Sequence, residues 1–158
     1  MIIDNAAVYK NEISGSLAWK RDDVTNSDGR IKLPPQVLDE LENLISFLRV
    51  NPIPLEVLDP KDFDLDACAM FMQKVKDILS DGTGLAIVSK LPTTKFNEDE
   101  LKQIYWILSN MIARPVAQSF DGRLLYDVID TGQKIGTRTR GDLTNQELSW
   151  HTDYGFNF

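Results

Sequence analysis

Between Pro34-Pro35 and Asn51-Pro52-Ile53-Pro54, apolar residues recur at spacings of three and four, and no other feature restricts the fold as much. Val37, Leu38, Leu41, Leu44, Ile45 and Leu48 fall on one stripe of a helix, and that stripe has to be buried against another element. Proline fits the first turn, because the N–H it lacks would have had no partner there. At the far end, the residue before each proline is pushed to extended geometry, and the helix stops.

Two further stripes follow. The pattern predicts a second helix over about Leu65 to Ser80, with Met70, Phe71, Val75, Ile78 and Leu79 as its buried face. Asp62 and Asp64 precede it, where negative charge suits the positive end of the helix dipole. Asp81-Gly82-Thr83-Gly84 breaks it, and Leu85-Ala86-Ile87-Val88 reads as a fully buried strand ended by Pro92. Asn97, with Glu100 three residues on, forms a capping box that opens a third helix. Leu101, Ile104, Tyr105, Leu108, Met111 and Ile112 make its stripe. Residues 1–33 are mixed and polar, with turn chemistry at Ser27-Asp28-Gly29, and read equally as loop or as two short strands.

After Arg114 the character changes. Pro115 to Ser119 and Leu124 to Ile129 flank Asp121-Gly122 as the two strands of a hairpin. Thr131-Gly132 makes another turn, and the segment Thr137 to Arg140 follows. Helices and one strand come first and strands later, which is the order of an α+β fold. No internal repeat or low-complexity stretch interrupts it.

The balance of 24 acidic against 17 basic side chains, a formal charge of −7, argues against a nucleic-acid partner, which needs a surplus of lysine and arginine. The 158 residues suit one domain able to bury roughly 70% of its unfolded surface. No aliphatic run approaches the roughly 20 residues of a membrane-spanning helix. The start of the chain shows no secretory signal and there is no Asn-x-Ser/Thr acceptor, so the expected location is cytoplasmic. One cysteine, Cys68, allows neither an internal disulfide nor a cysteine zinc site. It lies in an apolar helical stripe, where a thiol behaves as an inert small hydrophobe. Asp59, Asp62, Asp64 and Asp66 read as a solvated face or helix cap; the glycine and terminal glutamate of a calcium loop are missing. No glycine cluster has phosphate-loop spacing.

The sole histidine stands in Leu148-Ser149-Trp150-His151-Thr152-Asp153-Tyr154. On a strand, residues i and i+2 face the same way, so His151 and Asp153 would point into one cavity. An imidazole and a carboxylate held that way are two legs of the facial triad that binds non-haem Fe(II) and leaves three positions open. The same triplet also suits a histidine hydrogen-bonded near a turn carboxylate. A third arrangement is a zinc or other divalent ion shared between two symmetric chains, each giving one pair.

From about Gly84 onward the chain resembles the amino-terminal half of an Fe(II)/2-oxoglutarate-dependent dioxygenase of the TauD/TfdA family, in the clavaminate synthase-like group. The matching pieces are Gly84-Leu85-Ala86-Ile87-Val88, Leu125-Tyr126-Asp127-Val128, the run Arg140-Gly141-Asp142-Leu143-Thr144-Asn145-Gln146-Glu147-Leu148, and Trp150-His151-Thr152-Asp153. The resemblance implies a partial double-stranded β-helix (jelly roll) preceded by three helices. It implies one incomplete domain over 1–158, with 1–83 mostly helical and 84–158 beginning the β-helix core. His151 and Asp153 match two iron ligands residue by residue. The implied reaction couples decarboxylation of 2-oxoglutarate to O₂ activation and hydroxylation of a small organic substrate, with the protein orienting substrate and excluding water.

The family's second iron-binding histidine, its 2-oxoglutarate arginine and a threonine contact all follow the His-x-Asp pair, and none has a counterpart in these 158 residues. Arg114, Arg123, Arg138 and Arg140 all precede it and read as surface or strand-edge charges. The expectation is an incomplete Fe(II) site, inactive in this chain alone. The alternative is a non-catalytic binding or assembly module, or one part of a split enzyme completed by a complementing chain. Glu147, Gln118 and Asn145 are candidates to face a substrate pocket; Trp150 and Tyr126 read as packing residues.

Overall fold

The structure, a computed structural model, describes residues 12, 14–117, 122–134 and 143–147. The chain divides into two compact units, Met1–Ile112 and Ala113–Phe158.

The first unit is built on three helices, α1 (Pro35–Val50), α2 (Asp66–Ser80) and α3 (Glu98–Ile112), which pack against one another. Their shared core takes Val37, Leu41, Leu44, Ile45 and Leu48 from α1 and Cys68, Phe71, Met72 and Val75 from α2. Ile104, Ile107 and Leu108 come from α3, while Leu58, Leu65 and Phe96 close the core from the connections. The α1 stripe is therefore buried as its spacing predicts, with Leu38 half-buried at its margin.

Two residues expected in the core are instead on the surface. Met70 is 68% exposed and Tyr105 58% exposed. At 100° per residue, Met70 stands two positions from Cys68 and so lies on the far side of α2. Met72, one turn after Cys68, fills the core in its place. On α3, Tyr105 points away from the Ile104–Leu108 face. Trp106 lies nearly opposite Leu108, yet it is buried, because the connection before α2 covers that flank. Its indole Nε1–H donates to the Leu58 carbonyl at 3.0 Å, so burial leaves no polar atom of the ring unpaired. Helix α3 is thus buried on two sides rather than one.

The capping box forms as its spacing predicts. The Asn97 N–H donates to Glu100 Oε2 at 2.9 Å and the Glu100 N–H donates to Asn97 Oδ1 at 3.0 Å.

Strand β1 (Arg30–Ile31) pairs in parallel with β2 (Ile87–Val88), Arg30 opposite Ile87 and Ile31 opposite Val88. The Ile87 N–H donates to the Gly29 carbonyl and the Ser89 N–H to the Ile31 carbonyl, at 2.8 and 2.9 Å. Gly29 has a positive φ of 69°, and a Cβ there would stand 2.0 Å from the Leu85 carbonyl oxygen, so the approach of the two strands requires glycine. The 85–88 segment is a shorter strand than expected and is not fully buried. Leu85 and Ile87, facing one way by the two-residue period, are 45% and 40% exposed. Upstream, Ser16 Oγ donates to the Asp81 carbonyl and Trp19 Nε1 to the Thr83 carbonyl, both at 2.7 Å, pinning residues 16–19 to the turn after α2.

In the second unit, residues 118–121, which hold the end of the first strand and the turn of the expected hairpin, lie outside the described residues. Residues 122–130 make no β-ladder, and Val128 and Ile129 are exposed. Alternating apolar residues favour a strand only where tertiary context supplies both ladder and packing, so the pattern alone does not decide it. The jelly roll is not seen among the described residues: the described architecture is three helices and a two-stranded parallel sheet. The turn at Thr131-Gly132 is present. The Thr131 N–H and Oγ1 both donate to the Leu143 carbonyl, at 3.0 and 2.8 Å, and the Gly132 N–H donates to Asp130 Oδ1 at 2.8 Å.

Candidate functional site

The His151–Asp153 pair, with Trp150, lies outside the described residues, as do Gln118, Arg138 and Arg140. What bears on this site is its donor chemistry. A neutral imidazole and a carboxylate at i and i+2 suit Fe(II), binding it without thiolate and without filling its coordination sphere. The described structure upstream of the pair reaches Glu147, and before it the Thr131–Leu143 closure draws together the two ends of a segment that includes Arg138 and Arg140.

The remaining candidates are placed individually. Arg114, Arg123, Asn145 and Glu147 are exposed, and Tyr126 is half-buried. Among the described residues no group of three or more histidine, cysteine, aspartate or glutamate side chains is placed to hold a metal ion. The acidic run before α2 does not converge. Asp59 Oδ1 accepts the Lys61 N–H at 3.0 Å and caps a single turn at Pro60–Asp62, whereas Asp66 occupies the first turn of α2. Both are local roles at helix starts, as the run's composition suggests.

Cys68 is fully buried, and its thiol is pushed up to about 12, first by burial and then by the neighbouring Glu40 carboxylate. A thiol held protonated in this way is neither a metal ligand nor a nucleophile at neutral pH.

Two carboxylates do structural work that the local sequence pattern does not show: all of it for Glu40, and for Glu100 everything beyond its cap. Glu40 on α1 accepts the N–H groups of Ala67 and Cys68, at 2.8 Å each, and satisfies the start of α2, whose own cap position, Leu65, offers no side-chain acceptor. Glu100 combines its capping role with a two-point contact from Arg49. Arg49 Nε and a terminal guanidinium nitrogen donate to its two oxygens at 2.8 and 3.1 Å. Arg49 holds the Glu100 carboxyl below the usual carboxylate range, with help from the Asn97 N–H. Helix α1 therefore grips the starts of both α2 and α3 through side chains 27 or more residues away in sequence. Separations of that size are why one-dimensional periodicity does not reveal them.

No helix among the described residues is long and apolar enough to cross a membrane. No protein-family model matches the chain. It is 28% identical over 153 residues to FR-33289 synthase of Streptomyces rubellomurinus (strain ATCC 31215), an alignment taking in 92% of this chain and 44% of that protein. The chain thus spans less than half the length of the curated relative it matches, and it is a distant homologue of a synthase.

Proposed function

We propose that these residues form part of a non-haem Fe(II)/2-oxoglutarate-dependent dioxygenase of the TauD/TfdA type, acting on a small organic substrate. His151 and Asp153 are its first two iron ligands. The observation that carries this reading is the ordered series of motifs ending in Trp150-His151-Thr152-Asp153. Its support is a distant homology to a synthase that extends over 92% of the chain rather than over one short motif. Iron bound here with 2-oxoglutarate would supply O₂ activation; the chain's own contribution would be the His151 imidazole and the Asp153 carboxylate, two residues apart in sequence. The 158 residues contain a single histidine, so a third protein ligand of the facial type has to come from other residues.

Anaerobic titration of the 158-residue chain with Fe(II) and 2-oxoglutarate tests this, followed through the visible charge-transfer band and through bound iron after gel filtration. The expected result is weak iron retention without a full-strength band, abolished by His151→Ala and by Asp153→Ala. A full-strength band from these residues alone, or retention that both variants leave untouched, would overturn the assignment.

A further inference from the structure

We draw no further inference here: the strongest candidate, the exposed apolar corner of Leu17, Trp19, Leu85 and Ile87 around the turn after α2 and the start of β2, is an unpartnered face, and nothing in the structure shows what covers it.

Discussion

Glu40 Oε2 on α1 accepts the backbone N–H of Cys68 at 2.8 Å, and the other oxygen of the same carboxylate accepts the N–H of Ala67. A helix start leaves its first N–H groups without partners, and here the acceptor comes from a neighbouring helix rather than from the preceding residue. An anion at that end also meets the positive pole of the helix dipole. One side chain therefore both caps α2 and fixes its start against α1.

Glu40→Ala should lower stability by about 1–2 kcal/mol, the range for losing a helix cap and leaving donors unpaired. Glu40→Gln, which keeps one carbonyl acceptor, should lose about half of that. Urea unfolding followed by circular dichroism measures both; the midpoint should fall while the dependence on urea concentration keeps its slope. An unchanged midpoint in the alanine variant would mean that solvent satisfies these N–H groups equally well.

Cys68 should be inert towards a thiol reagent in the folded chain and reactive after unfolding. Its titration also sets a sign for stability at high pH. The thiol loses its proton near 9.0 ordinarily but only at about 12 in the folded chain, so between those values the folded state holds the extra proton. That contribution is whole below pH 9 and declines as pH rises towards 12. Cys68→Ala should be less stable at neutral pH through lost packing, yet should show a shallower alkaline decline than the parent. Rapid native-state labelling, or parallel alkaline limbs for parent and variant, would contradict the buried, carboxylate-facing thiol.

Glu100 gives the opposite dependence. Arg49, and after it the Asn97 N–H, lower the carboxyl below its ordinary 4.5, so the unfolded chain takes up the proton first on acidification. The stabilisation is present above that value and is lost as pH falls through the lower, folded one. Glu100→Gln should therefore be the less stable form at pH 7, and the gap to the parent should close as the solution is acidified below pH 4.5. Unfolding midpoints of the two proteins across pH 3 to 7 measure this. A gap that stays constant with pH would show that the carboxylate gains nothing from its charge.

These relationships mark what the sequence could and could not reveal. Helix α1 was legible residue by residue, because its apolar spacing and its prolines are local signals that nothing distant overrides. Met70 is exposed because the buried face of α2 is centred on Cys68, Phe71, Met72 and Val75, and Tyr105 because it sits at the edge of its stripe, where only the neighbours that pack there decide what is covered. Trp106 shows the same physics in reverse: a tertiary contact with the Leu58 segment buries a flank that periodicity leaves open. The β1–β2 pair joins residues 57 positions apart in parallel, and no turn motif links them. Of the candidate site, the His151–Asp153 triplet gains its chemical reading only from the ordered motifs that precede it. The described structure reaches as far as Glu147, so the pair lies outside it, and a shared face is an expectation from the two-residue period of an extended chain.

Gly29 offers the sharpest contrast within one type of substitution. Gly15 and Gly29 both have positive φ, at 88° and 69°. An alanine at either position meets the left-handed penalty of about 1–2 kcal/mol. At Gly15 nothing stands within 4 Å of the added carbon, whereas at Gly29 it would overlap the Leu85 carbonyl oxygen at 2.0 Å. A backbone atom cannot swing aside as a side-chain end can, so Gly29→Ala has to part β1 from β2. Its cost should be on the order of 3 kcal/mol, clearly above that of Gly15→Ala. Hydrogen exchange locates the damage: the Ile87 and Ser89 amides, which donate to Gly29 and Ile31, should lose protection in Gly29→Ala and keep it in Gly15→Ala. Equal costs for the two variants, with both amides still protected, would mean that the parallel pair does not make the close approach on which this corner of the fold is built.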